Sequence, residues 1–232
     1  MTEQSFWYFE DFDLFDILCP TKIAENEGKD HKVINYKKGT NIYLPEDDAD
    51  KIFFIAKGRI KIGVFGNNGK EIIKNILEKG EVFGELAMFG QKKRTEFAYA
   101  MEDTEICICT LDELKMVMKT HSTFQQFMMS VLGKRVMSVE KRLESLVFKD
   151  SRTRIVEYLI ELVNTRGQRV GYELLVRKFN THQEIANLTA TSRQTVTTLL
   201  NDLRNKNILT FDRKRLLIRD MDLLQKEAVV EA

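Results

Sequence analysis

The chain has 232 residues, 43% of them hydrophobic, with 36 Lys and Arg against 35 Asp and Glu, a formal net charge of +1. That composition can bury a sizeable core, and the length suits two domains. No apolar run reaches the roughly 18 residues of a membrane helix and no basic-then-apolar leader opens the chain, so the expected setting is the cytoplasm, with no membrane partner.

The near-neutral total hides an asymmetry. Residues 149–232 carry 15 Lys and Arg against 11 Asp and Glu, whereas residues 1–148 carry 21 against 24. A basic module behind an acidic one fits a C-terminal part that binds nucleic acid.

Residues 1–28 read as helical, with an aromatic face formed by Phe6, Trp7, Phe9, Phe12, Phe15 and Leu18 and a second short helix from Pro20. From Lys32 to Thr110 the texture changes to short β-like runs. Val33–Tyr36, Lys51–Ala56, Arg59–Phe65 and Glu71–Leu77 are the clearest, punctuated by Gly39, Gly58, Asn67-Asn68-Gly69, Gly80 and Gly84. Such spacing predicts an antiparallel roll or barrel. Cys107 and Cys109 alternate with Ile106 and Ile108 in a further strand. A CxC metal site and a pair of buried structural thiols both fit there, and the second is the expectation. With Cys19 they make three cysteines, too few for a disulfide framework. His31, His121 and His182 are too scattered for a metal cluster, so no metal site and no catalytic group is assigned.

A long helix is predicted from near Asp112 to about Val147, with a break near Thr120–Thr123. Within it Met129, Leu132, Val136, Val139, Leu143 and Leu146 are spaced 3, 4, 3, 4 and 3, a heptad seam suited to a parallel two-helix dimer. Phe148-Lys149-Asp150 reads as a hinge. Asp150 then caps a helix with apolar positions Ile155, Tyr158, Leu159 and Leu162, and Gly167 is placed as its left-handed C-terminal residue.

Thr181 to Leu209 is the most informative stretch. Two short helices cross steeply only where small residues meet and apolar positions face inward. Ala186 and Ala190 are read as the small crossing points, and Val196 and Leu199 as the apolar contacts. This is helix-turn-helix spacing, in which the second helix enters a major groove. Its outward positions, Arg193, Gln194, Thr197, Thr198 and Asn201, can bond base edges or phosphates. An ordinary αα-hairpin is the competing reading. Leu209–Phe211 and Arg215–Ile218 read as two strands joined by Asp212-Arg213-Lys214, a wing whose cationic tip suits a phosphate backbone.

Roll, long helix and winged helix-turn-helix in that order resemble the family of the cAMP receptor protein and the fumarate-nitrate regulator, across about residues 30 to 219. The resemblance rests on Tyr36-Lys37-Lys38-Gly39, Phe53-Phe54-Ile55-Ala56-Lys57-Gly58, Gly69-Lys70-Glu71, Gly80-Glu81-Val82-Phe83-Gly84-Glu85-Leu86, Thr181-His182-Gln183-Glu184-Ile185-Ala186 and Ser192-Arg193-Gln194-Thr195-Val196. It implies an α+β chain divided into a cyclic-nucleotide-binding-like β-roll of jelly-roll type at 1–123, a dimerisation helix at 124–148 and a winged helix-turn-helix domain at 149–232. The implied function is a homodimeric transcription regulator, not an enzyme, that binds an inverted repeat of double-stranded DNA and meets RNA polymerase if it activates. His182, Ser192, Arg193, Gln194, Thr197, Thr198, Arg213 and Lys214 are its implied DNA-binding residues.

In relatives that bind a cyclic nucleotide, a Gly-Glu-Leu turn meets the ribose and an Arg-Ser pair holds the phosphate. Gly84, Glu85 and Leu86 match the turn, and Arg94 and Thr95 match the pair with Thr for Ser. The resemblance therefore implies cAMP or another small anionic effector, and no certain cofactor. Three departures bear on this. The segment between the two motifs is one residue shorter than in the cAMP receptor, Glu96 adds a negative charge, and Val139-Glu140 stands where a Thr-Ser pair contacts the purine. An effector-independent regulator with a vestigial pocket is the alternative. Gln194 and Thr198 replace a Glu and an Arg of the cAMP receptor, so its operator does not carry over. One cysteine near the N-terminus cannot hold the oxygen sensor's iron-sulfur cluster. A roll enzyme of cupin type lacks its histidines. A 2-oxoglutarate site on Arg94 and Arg142 is a further reading.

Overall fold

The computed structural model describes residues 33–66 and 71–228. The N-terminal aromatic segment, Cys19, His31 and the Asn67-Asn68-Gly69 turn lie outside them. The chain forms two compact units, Met1–Val136 and Met137–Ala232.

The first unit is an antiparallel roll of two four-stranded sheets. One has the order β1 (Val33–Tyr36), β8 (Thr104–Thr110), β3 (Lys51–Lys57), β6 (Val82–Phe83). The other has the order β2 (Asn41–Tyr43), β7 (Phe97–Ala100), β4 (Arg59–Phe65), β5 (Glu71–Glu78). The four predicted strands are present nearly at their predicted bounds. Strand β3 is buried on both faces, so its side chains divide by parity. Phe53 and Ile55, with Ile106 and Ile108 of β8, belong to a core that also holds Tyr43, Ile60, Ile62, Leu77 and Phe83. Ile52 and Phe54, paired with Cys109 and Cys107, belong to a second cluster. The two thiols are thus buried among apolar side chains. Among the described residues no group of three His, Cys, Asp or Glu could hold a metal ion.

That second cluster is closed by helices. Helix α1 (Leu111–Thr120) begins at a capping box in which Thr110 and Glu113 satisfy each other's backbone N–H groups, and it buries Leu114. The predicted break falls at His121, the C-cap of α1, and α2 runs from Ser122 to Phe148. Phe124 and Met128 of its first turns fill the cluster. Beyond them the seam emerges: Met129, Val136, Val139, Leu143 and Leu146 are all exposed.

In the second unit, α3 (Ser151–Arg166) starts as predicted, with the Asp150 carboxylate accepting from the Thr153 N–H at 2.7 Å. Gly167 departs from its predicted role. Its φ of −69° is extended, not left-handed. Glycine is required there for space, because a Cβ would lie 2.3 Å from the Val163 carbonyl oxygen. A four-stranded sheet of order β11 (Leu209–Phe211), β12 (Arg215–Ile218), β10 (Glu173–Arg177), β9 (Gln168–Val170) includes the predicted wing strands. The β9–β10 hairpin carries no hydrophobic period: β9 is exposed throughout and β10 buries only Val176. Helices α4 (His182–Leu188), α5 (Arg193–Asn205) and α6 (Met221–Lys226) complete the unit, around a core of Ile155, Leu159, Ile185, Ala186, Val196, Leu200 and Leu216. Among the described residues no helix is long and apolar enough to cross a membrane.

Candidate functional site

In the roll, Gly84 has a φ of 76° and begins the short 3-10 helix Glu85–Phe89. A Cβ there would sit 2.9 Å from the Arg94 Nη1 and 3.1 Å from the Phe53 ring, so both conformation and space call for glycine. Arg94 is only 1% exposed. Its Nη1 donates to the Gly84 carbonyl at 3.0 Å and its Nη2 to the Lys51 carbonyl at 2.5 Å. The guanidinium lies over the Tyr43 ring, 4.7 Å from its centroid, and near Phe53 at 5.6 Å. Its buried Nε has no hydrogen-bond partner. Burial pulls the Arg94 pKa below the usual guanidinium value.

An arginine set between Glu85 and Glu96 in the chain could either hold an anion or pair with one of those carboxylates on a solvated edge. The second is not what forms. Glu85 is buried and pairs with Arg135 of α2 at 3.1 Å. Glu96 accepts from the Tyr43 hydroxyl at 3.3 Å and from Lys74 at 3.0 Å. Desolvation, then the Glu96 charge, pushes the Tyr43 phenol up from its ordinary pKa. Gly84, Glu85 and Arg94 therefore come together, whereas Leu86 and Thr95 are exposed. The Thr95 hydroxyl accepts from Gln91 at 3.0 Å.

Sequence reading missed Arg135. Its Nη2 also donates to the Val82 carbonyl at 3.2 Å, and the Asn75 amide, turned to satisfy both its ends, accepts from Nη1 at 2.9 Å. A cation one residue before a seam position carries no sign of a carboxylate fifty residues away.

In the second unit, Thr181 and Glu184 form the capping box of α4, and Ser192 caps α5 by accepting from the Thr195 N–H at 3.0 Å. Ala186 is fully buried against Val196 and Leu199, as predicted. Ala190 is not a crossing point: it is exposed, with a φ of 51°, and forms the turn itself. An l-residue with a Cβ is strained there by about 1–2 kcal/mol. The strained turn is gripped by Arg154 of α3, which donates to the carbonyls of Thr189 (2.9 Å), Ala190 (3.1 Å) and Lys149 (2.8 Å). Arg142 of α2 donates to the Asn187 carbonyl at 3.3 Å. These arginines hold the carbonyl end of α4, where cations are favoured. Neither contact is legible from spacing.

Arg193, Gln194 and Thr198 project from α5 into solvent. Thr197 is less available. Its hydroxyl donates to the Arg193 carbonyl at 2.9 Å and lies 2.8 Å from the His182 Nδ1. Since that proton is spent, the imidazole nitrogen is the donor. Burial, then the Arg193 charge, holds the His182 pKa below its usual value, so the ring is neutral at pH 7. It meets Phe211 edge-on at 5.5 Å. Asn201 accepts from Arg204 at 2.9 Å. At the wing tip Arg213 and Lys214 are exposed, and the Asp212 carboxylate fixes the turn by accepting from the N–H groups of Lys214 and Arg215 at 2.7 and 2.8 Å.

Comparison with known proteins agrees with both units. Residues 33–121 match the cyclic nucleotide-binding domain family, and residues 153–227 match the Crp-like helix-turn-helix domain family. The chain is 26% identical over 197 residues to the global nitrogen regulator of Nostoc sp., covering 84% of this chain and 88% of that protein. It is 26% identical over 215 residues to the CRP-like cAMP-activated global transcriptional regulator of Mycobacterium tuberculosis, covering 93% and 96%. A solved structure of a CooA variant from Carboxydothermus hydrogenoformans superposes with a TM-score of 0.79 at 26% identity, covering 94% of this chain and 97% of that one.

The strained turn yields a prediction. Ala190→Gly relieves the left-handed penalty at a smaller entropic cost, for a net gain of about 0.5–1 kcal/mol. Thermal unfolding of the variant should show a midpoint raised by a few degrees. A lowered midpoint would mean that the Arg154 grip, rather than the backbone conformation, sets the turn's energy.

Proposed function

Because the chain belongs to the Crp/Fnr family of transcription regulators, we propose that it acts as a homodimer that reads an inverted repeat of double-stranded DNA and answers to a small anionic effector in the roll. The observation that carries this reading is the α5 surface: Arg193, Gln194 and Thr198 exposed on a capped helix, beside a cationic wing tip held by Asp212. An arginine at the start of such a helix can meet guanine O6 and N7 with two N–H groups. Arg213 and Lys214 serve the phosphate backbone, which adds affinity without sequence choice. The exposed seam of α2 supplies the surface on which a second copy would pack, with half-site centres roughly 34–36 Å apart. The site of action is the cytoplasm, and RNA polymerase is the partner if the outcome is activation.

In the roll, an anion would compete with the Gly84 and Lys51 carbonyls for the Arg94 donors, or take the unpartnered Nε. The neighbouring Glu85–Arg135 pair would carry that change to α2. The second reading, an effector-independent regulator, is favoured by one observation: two Arg94 nitrogens are already bonded to backbone carbonyls.

Arg193→Ala should cost about 1–3 kcal/mol of binding on a duplex selected from a random pool, and should relax specificity at one base pair. Fluorescence anisotropy on the selected site and its point variants measures this. Equal loss on every sequence would demote Arg193 to a phosphate contact.

Calorimetry with cAMP, cGMP and 2-oxoglutarate separates the two roll readings. Binding to the wild type, weakened by about 2–5 kcal/mol in Arg94→Ala, is the expected result for an effector site. No heat from any of the three at millimolar concentration would favour the effector-independent reading. Binding unchanged by Arg94→Ala would put the ligand elsewhere in the roll.

A further inference from the structure

Hydrogen-bond accounting separates two neighbouring threonines of α5. Thr198 is exposed, whereas Thr197 is half-buried and its hydroxyl is engaged twice. It donates to the Arg193 carbonyl at 2.9 Å and accepts from the His182 Nδ1 at 2.8 Å. A hydroxyl has one proton to give, so Thr197 cannot also donate to guanine O6 or N7, adenine N7 or thymine O4. The oxygen keeps one lone pair, but it is held between α4 and the α5 backbone. What the side chain has left to offer a base edge is its methyl group.

His182 is itself held in place. Phe211 of the wing meets the imidazole edge-on at 5.5 Å. Phe179 and Arg204 pack on Phe211 in turn, the first at 6.4 Å between ring centroids and the second with its guanidinium 5.2 Å from the ring centroid. Wing strand, imidazole and threonine thus form one packed row, and a β-branched side chain gripped by two hydrogen bonds keeps a single staggered position. Spacing adds the base step. Arg193 and Thr197 are four residues apart, so they share a face of α5 at a separation of about 5.4 Å. Stacked bases are about 3.4 Å apart, so bases met by these two side chains lie one or two pairs from each other.

We propose that Thr197 reads thymine through its methyl group, positioned by His182, and that each half-site carries this thymine within two base pairs of the guanine met by Arg193. The inference rests on the DNA-binding reading of α5 and names one base and the mode in which it is read. The thymine C5-methyl is the apolar group of the major groove, and a threonine methyl is a fitting partner for it. Burying one methyl group contributes about 0.8 kcal/mol, or about fourfold in affinity.

The test replaces thymine by uracil, which removes only that methyl group, one position at a time in one half-site of a selected inverted repeat. Fluorescence anisotropy gives the ratio of affinities for the two duplexes, and any loss of folded protein cancels in that ratio. The wild type should prefer thymine about fourfold at one position, within two pairs of the guanine whose discrimination is lost in Arg193→Ala. Thr197→Ser keeps the hydroxyl and has no methyl, so its ratio should fall to one. Thr197→Val keeps a methyl and has no hydroxyl, so its ratio should stay near the wild-type value. A hydroxyl contact predicts instead no thymine preference in any of the three, with affinity lost in Thr197→Val alone. His182→Ala frees the hydroxyl to turn and should lower the ratio, whereas an imidazole that only supports the fold would leave it unchanged and so overturn the role given to His182. A wild-type ratio of one at every thymine, or a ratio kept in Thr197→Ser, overturns the proposal. A wild type that binds no duplex would instead overturn the DNA-binding reading on which it stands.

Discussion

The constraint on which this molecule turns is the uncovered apolar stripe of α2. Its first turns are buried in the roll through Phe124 and Met128. From Met129 onward the seam residues Val136, Val139, Leu143 and Leu146 lie 43–65% exposed, with Phe148 at 81%. Single exposed apolar residues are ordinary, but a heptad row of them is the surface on which the proposed second copy would pack. A second copy covering the stripe would also duplicate α5 about a two-fold axis, and that is the symmetry an inverted repeat would match.

The two functional regions use arginine in different ways. In the helix-turn-helix unit, Arg142 and Arg154 hold backbone carbonyls at the end of α4 and in the turn before α5. In the roll, Arg94 does the same for Gly84 and Lys51, but there the grip occupies the group assigned to the effector. An anion must offer more than two carbonyls and the Tyr43 face already provide. The Glu85–Arg135 pair would make such an exchange consequential, because it joins the glycine turn to the long helix.

Much of this was legible in the sequence, and the reasons are local. Asp150 announces a helix start because its carboxylate bonds an N–H three residues on. The roll strands show through the turn residues that punctuate them, and Ala186, Val196 and Leu199 through helical spacing. Where the sequence reading fell short, the residue types carried no sign of the structure they adopt. Ala190 looks like a crossing residue by spacing, yet its backbone is left-handed, which an alanine does not advertise. The β9–β10 hairpin has almost nothing buried to set a period. Glu85 with Arg135, and Arg154 with the α4–α5 turn, are long-range contacts between polar groups. Such groups look the same in a sequence whether they face water or a partner. For Arg94 the motif singled out a residue that does lie beside Gly84, but only burial reveals that its side chain turns inward.

Sedimentation equilibrium on the wild type and on a variant with Leu132→Glu and Val139→Glu, paired with binding to the selected inverted repeat, tests the central claim most directly. Val139 is 65% exposed in the single chain, so a charge there costs the isolated fold little while placing like charges against each other in a packed pair. The account predicts a dimeric wild type, and a folded, monomeric variant that has lost the repeat. A wild type that sediments as a monomer yet binds the repeat, or a variant that stays dimeric, would contradict it.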